Sequence, residues 1–240
     1  MSPKLPQFHQ PLGYSRVKVV KSFDELVTTR FAGGVNALCW ERTLTGNFIE
    51  VVERLSTGED IFTVDEACLK GLNLSSAGRA AVDTLLEDQQ RLSALGLSPV
   101  LECIQRYARD EDGGVVPTDV YSFHADSATV ETDTYLCSYT EAASEALNNE
   151  DAQRCVDIPE TRAALLASFG GEDNGEFLEF LRDNAFDLHY VPIPLARPFS
   201  FGLGHLWRIA VDYPGSPVPP CVHRSPKTVP GRPPRLLLIS

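Results

Sequence analysis

The chain has 240 residues, of which 43% are hydrophobic, and it carries 33 acidic against 21 basic side chains, a formal charge of −12. That apolar fraction is enough to pack a core and argues against general disorder. The acidic balance repels phosphate backbones and anionic membrane surfaces, so neither nucleic acid nor membrane is an expected partner, while a small-molecule substrate in a locally basic pocket is compatible with it.

Residues 1–34 read as an irregular lead-in, with no apolar h-region of the secretory kind. Within it, Val17–Val20 has the look of a short strand, and Ser22 with Glu25 three places on suggests a capped helical turn over Phe23–Val27. A single α+β domain is expected over 35–240. Val35–Trp40 is a short apolar run of open type. Phe48, Val51, Val52 and Leu55 fall on one stripe and predict a helix over Thr45–Leu55. Thr63 followed by Glu66 suggests the cap of another short helix. The longest helix is expected over Ser75–Leu95, with Val82, Leu85, Leu86, Leu92 and Leu95 inward and Gly96 as its stop. Together these make a helical support over 45–98.

Barrel strands are expected over 99–140 and 188–240. Val100–Tyr107 fits a helix or a strand. An acidic-glycine turn at 110–114 leads into a β-branched and aromatic run, Val115–Phe123, broken only by Pro117. Thr129–Tyr139 alternates and reads as a strand. A helical insert over 159–184 follows, with Pro159 in the first turn, Gly170-Gly171 as a break, and a second helix over Gly175–Asn184. His205–Val211 and Leu236–Ile239 are the clearest late strands. Helices first and strands after, with a helical insertion, indicate an α+β fold. No stretch reaches the ~18 apolar residues of a membrane helix, so a cytoplasmic location is expected. The six cysteines, 39, 68, 103, 137, 155 and 221, include no Cys-x-x-Cys and read as buried thiols in that compartment.

Phosphate-binding, dinucleotide, serine-hydrolase and His-Glu-x-x-His motifs are absent from the sequence. What remains is His124-Ala-Asp126, then His223, then Arg232 and Arg235. On a strand, residues two apart point to one face, so His124 and Asp126 can converge. A third ligand from His223 completes a 2-His-1-carboxylate set, which leaves positions open on Fe(II). Composition alone supplies about 0.7 acidic residues two places after a histidine, so the pair gains meaning from its context. That context is an aromatic strand before His124 and an apolar strand opened by Arg235. His189 and His205 lie in apolar or aromatic surroundings and read as structural histidines, and His9 lies in the lead-in.

In this order and setting the chain resembles the Fe(II)/2-oxoglutarate-dependent oxygenase superfamily. The resemblance implies a distorted double-stranded β-helix, jelly-roll-like, supported by the N-terminal helical layer. It implies Fe(II) held by His124, Asp126 and His223. It also implies 2-oxoglutarate paired with Arg235, with Arg232 as the rival anchor and a hydroxyl from Tyr135 or Tyr139 on the same group. The Phe-His-x-Asp strand, Cys137-Ser-Tyr-Thr140 and the C-terminal His-Arg-x-Pro resemble more closely an uncharacterised bacterial family, domain of unknown function 1826, to which no activity is attached.

Two other classes stay open. Cys221 lies two residues before His223, so on an extended segment the two share a face. Cys221, His223, His124 and Asp126 would then form a mixed set suited to Zn(II), as in a metal-handling protein or metallo-hydrolase. A non-catalytic barrel serving as an interaction module is the third class.

Overall fold

The computed structural model describes residues 14–55, 58–109, 114–229 and 231–240. His9 and residues 110–113 of the acidic turn lie outside them. The elements run β1 (Val17–Val20), α1 (Phe23–Thr28), β2 (Ala37–Trp40), α2 (Phe48–Arg54), β3 (Ile61–Thr63), α3 (Glu66–Gly71), α4 (Ser76–Ser93) and β4 (Val100–Ile104). They continue with β5 (Phe123–His124), β6 (Asp133–Ser138), β7 (Glu145–Leu147), β8 (Ala152–Arg154), α5 (Pro159–Phe169) and α6 (Gly175–Asp183). The last are β9 (His189–Pro192), β10 (Phe199–Ser200), β11 (Leu206–Ala210), β12 (Val222–Arg224) and β13 (Arg235–Ile239).

The strands form two sheets. A seven-stranded sheet has the order β1-β2-β11-β6-β13-β4-β3, and a six-stranded one the order β10-β7-β12-β5-β9-β8. Each pairing is antiparallel except β1 with β2. The class is mixed helix and sheet, with α1–α4 gathered on one face of the seven-stranded sheet. β1 joins the sheet beside β2, so the seven-stranded sheet begins inside the segment read as a lead-in.

Alternation sorts the core into layers. On β13, Leu236 and Leu238 face the helices, while Arg235 and Leu237 face the other sheet. A strand buried on both faces reads as a continuous apolar run, which is why Leu236–Ile239 stands out in the sequence. The outer face packs on α2, α3 and α4 through Val51, Val52, Leu69, Leu85 and Leu92. Each such fully buried side chain contributes about 1.5–3 kcal/mol. The inner faces of both sheets meet in a second core containing Leu136, Ala146, Phe201, Trp207, Ile209 and Leu237. The insert α5–α6 makes its own cluster around Leu165, Phe177 and Leu181.

Capping chemistry explains the helix boundaries. Ser22 accepts from the Glu25 amide, as its spacing predicts, and Ser75 accepts from Gly78. Asn47 accepts from Glu50, so α2 begins at Phe48 and not at Thr45. Asp65, not Thr63, caps α3, because Thr63 is spent as the last residue of β3. Pro159 occupies the first turn of α5, and Gly170 ends it in the left-handed region with φ 74°. The expected strand over Val115–Phe123 is reduced to Phe123–His124, the rest being turns around Pro117 and Asp119. The Asp119 carboxylate accepts from the amides of Tyr121 and Ser122, and so competes with a ladder there. Strands β7 and β8, between 145 and 154, carry no alternation long enough to be read in advance.

Candidate metal and carboxylate site

The site lies between the two inner faces. β5 and β12 pair with His124 directly opposite His223, and β5 and β9 pair with His124 opposite His189. Side chains of directly paired residues share a face. The ring centroids of His124 and His223 are accordingly 4.7 Å apart. Asp126 follows two residues after His124, and its backbone carbonyl accepts from Asp212. One ligand atom from each of His124, Asp126 and His223 lies within 4.8 Å of the others. His223 Nε2 and Asp126 Oδ1 are 3.8 Å apart. Metal–ligand bonds of about 2.0–2.2 Å put adjacent donors about 3 Å apart, so a small rotamer adjustment would suffice.

The donor atoms are prepared for a cation. His124 Nδ1 lies 2.8 Å from the Ser122 carbonyl, and His223 Nδ1 lies 3.2 Å from the Cys221 carbonyl. A carbonyl only accepts, so each Nδ1 carries the proton and each Nε2 keeps its lone pair. Burial, with the neighbouring His223 imidazole, lowers the His124 pKa to about 4, which keeps it neutral as a ligand must be. Burial alone would raise the Asp126 carboxyl, but His223, the hydrogen bond from Thr134 and His124 outweigh it, and the net shift is downward. Thr134 Oγ1 donates to Asp126 Oδ2 at 2.6 Å and leaves Oδ1 facing His223. Two neutral imidazoles and one carboxylate fit a divalent first-row metal.

Cys221 does not join them. It is buried in the core between the sheets with Trp207 and Phe201, and its amide donates to Ala210. Burial, with the Asp126 carboxylate, pushes its thiol pKa up, so it keeps its proton. The four-ligand zinc set therefore does not form among the described residues.

Arg235 opens β13 and points to the inner face, 3% exposed. Pro233 and Pro234 precede it, and Thr140 Oγ1 donates to the Pro234 carbonyl while accepting from the Leu236 amide, which ties this point to the end of β6. Its Nη1 donates to Tyr107 Oη at 3.1 Å and Ser225 Oγ at 3.3 Å. Its Nη2 donates to Ser138 Oγ at 2.9 Å and Ser144 Oγ at 2.8 Å. Its Nε is buried without a partner. No carboxylate pairs with this guanidinium among the described residues. Burial lowers its pKa, and Tyr107 and Glu102 offset that only in part.

The other anchor candidates are elsewhere. Arg232 has a side chain 65% exposed, with Nε 3.6 Å from Glu141. Tyr135 and Tyr139 lie on the helix-facing side of their strand, the odd-numbered side of β6, and Tyr139 donates to Asp88 at 2.7 Å. The same alternation brings Thr134 and Ser138 inward. Tyr107, Ser138, Ser144, Ser225 and Thr134 are the site residues the sequence reading missed. Ser225 sits two places after His223 and could have been found by the rule applied to Cys221. Ser144 has no local signal, because only the β7–β12 pairing brings it in.

No family model matches the chain, and no curated protein matches it, so the resemblance to domain of unknown function 1826 gains no support. One solved structure, described as the Kdo hydroxylase KdoO, a non-heme Fe(II) alphaketoglutarate-dependent dioxygenase in complex with succinate and Fe(III), is similar over 93% of this chain and 87% of that chain. The identity is 14% and the TM-score 0.38, at which the likeness carries no argument about this chain's chemistry.

Proposed function

We propose that this protein is an Fe(II)/2-oxoglutarate-dependent oxygenase acting on a small molecule, its two sheets forming a distorted double-stranded β-helix. The observation that carries the reading is the pairing of two unfinished sites. His124, Asp126 and His223 present three donors for one cation. Beside them, Arg235 is a buried cation without an anion. Four hydroxyl oxygens, of Tyr107, Ser138, Ser144 and Ser225, accept from its guanidinium. None of the four gives its own O–H to a protein acceptor among the described residues. Four O–H groups and the buried Nε–H thus lack a protein acceptor among the described residues, and leaving a buried donor unmatched is costly.

The spacing suits a short dicarboxylate. His223 and Ser225 are two residues apart on one face, about 6.6 Å along an extended chain. A 2-oxo acid chelating the metal would lay its far carboxylate among these hydroxyls, with Arg235 behind them supplying charge. Fe(II) held there would supply open coordination positions for the 2-oxo acid and dioxygen. The chain's own residues would do the rest. Carbonyls 122 and 221 fix the imidazole tautomers, Thr134 orients the carboxylate, and the inner-face core excludes water.

Zinc remains a second reading of the three-ligand set, but nothing in it calls for Arg235. Metal analysis tests the three-ligand set itself. Protein purified without a His tag and equilibrated with equimolar Fe(II) and Zn(II) under anaerobic conditions should retain one metal per chain. His223→Ala should retain none, and Cys221→Ser should match wild type. Loss of metal in Cys221→Ser would favour a thiolate zinc site and sink the proposal.

A further inference from the structure

The inner face of the seven-stranded sheet is not covered evenly. Its registers give cross-strand rows. One runs Trp207–Leu136–Ile239–Val100, the next Ser138–Leu237–Glu102–Thr63, and the third Arg235–Ile104–Ile61. Burial falls along each row toward β4 and β3. Trp207 and Leu136 are buried, Ile239 is half-buried, and Val100 is 38% exposed. Arg235 and Ile104 are buried, while Ile61 is 40% exposed. Toward β11 and β2 the face is closed, with Ile209 and Ala37 buried beside Thr134. Exposure on this face therefore rises toward β4 and β3, over an apolar strip of Ile61, Val100 and Ile239.

One charged residue stands in that strip. Glu102 is paired with Leu237 on one side and Thr63 on the other, and it is half-buried. Its carboxylate has no hydrogen bond and no ion pair among the described residues. Burial raises its pKa, and Arg235 is the one group that opposes the rise. A dicarboxylate on Arg235 would cancel that influence and leave Glu102 on the exposed strip without a compensating cation. A half-buried anion in an apolar setting gains most from a cation brought by a ligand.

We infer that Glu102 selects the primary substrate of the proposed oxygenase, and that this substrate carries a cationic group, ammonium or guanidinium, on an apolar body that lies along Ile61, Val100 and Ile239. The inference rests on the oxygenase reading and adds an order to it, with 2-oxoglutarate bound first and the cation second.

The test uses the full chain with Zn(II) as a redox-silent metal, 2-oxoglutarate, and two probes of similar size, n-butylguanidinium and 1-pentanol, followed by ligand-observed NMR. Wild type should bind butylguanidinium in the presence of 2-oxoglutarate. Glu102→Gln should bind it at least about tenfold more weakly, and Glu102→Asp should recover part of the loss. Pentanol should bind all three alike, which separates loss of charge from loss of fold. Equal affinity of wild type and Glu102→Gln for butylguanidinium overturns the inference. If Glu102→Gln weakens 2-oxoglutarate and not butylguanidinium, Glu102 serves as the counter-charge of Arg235; the inference then fails while the oxygenase reading stands. If wild type does not bind 2-oxoglutarate, the oxygenase reading fails and takes the substrate role of Glu102 with it.

Discussion

Two arginines lie under opposite faces of the seven-stranded sheet, and they are solvated in opposite ways. Arg42, on the helix side, has Asp88 as a bidentate partner, Nη1 donating at 2.6 Å and Nη2 to the second oxygen. Tyr139 donates to the same carboxylate, the Gly204 carbonyl accepts from Arg42 Nε, and the guanidinium lies 4.7 Å from the Trp40 ring centroid. Burial alone would lower its pKa, but Asp88 more than compensates and the net shift is upward. Arg235, further removed from water, has hydroxyls only, an orphaned Nε and a lowered pKa. The first cation is finished by the fold. The second is left for something the fold does not supply. A buried charge without its partner costs stability, and on the proposed reading a ligand carboxylate completes it.

The largest effect should come from breaking the finished pair. Asp88→Ala leaves Arg42 buried and unpaired, and should lower the unfolding free energy in urea by about 3–5 kcal/mol. Arg235→Met should cost about 1 kcal/mol or less in the same assay, because it removes an uncompensated cation from an apolar layer. The same variant should weaken 2-oxoglutarate binding by about a hundredfold, as expected for removal of a buried charge partner. Equal destabilisation by the two substitutions would mean that Arg235 is a structural residue like Arg42.

The sequence exposed the two sites unequally, for physical reasons. The elements around them were legible where periodicity or capping is strong. α4 with Ser75, the first turn of α5 with Pro159, β6 and β11 lie within the expected spans, and β13 begins one residue earlier, at Arg235. The candidate metal ligands were legible because His-x-Asp is a local pattern on a strand, and the structure brings His223 across from His124. The proposed anchor was half legible. Arg232 and Arg235 differ little as letters, but the alternation of β13 turns Arg235 inward, and the loop before it leaves Arg232 exposed. The hydroxyl cradle was not legible, since Ser138, Ser144 and Ser225 come from three strands of two sheets. Tyr135 and Tyr139 were misplaced by one face of one strand, the result of a period-2 phase that sequence alone leaves open. The Arg42–Asp88 pair is not legible in the sequence, because 46 positions separate its members.

A smaller effect concerns the metal-free site. His124 would titrate near 6.5 when unfolded and titrates at about 4 in the folded chain. Between those values the unfolded state binds more protons, so stability should fall as pH drops from about 6.5 toward about 4. Urea unfolding of metal-free protein at several pH values should show that slope, and His124→Phe should flatten it. An unchanged slope would place the titrating group elsewhere. The smallest effect should be at the rival anchor. Arg232→Ala, which removes an exposed pairing with Glu141, should change stability by less than about 0.5 kcal/mol and leave 2-oxoglutarate binding as it was.

The central claim is that Arg235 and the His124–Asp126–His223 set are two halves of one binding site. Anaerobic titration of Fe(II)-loaded protein with 2-oxoglutarate, followed through the visible metal-to-ligand charge-transfer band, tests it directly. The account predicts a saturable band in wild type, a band needing far higher 2-oxoglutarate in Arg235→Met, and none in His223→Ala. A wild-type protein that holds Fe(II) but develops no band, or an Arg235→Met variant that saturates at the wild-type concentration, would contradict it.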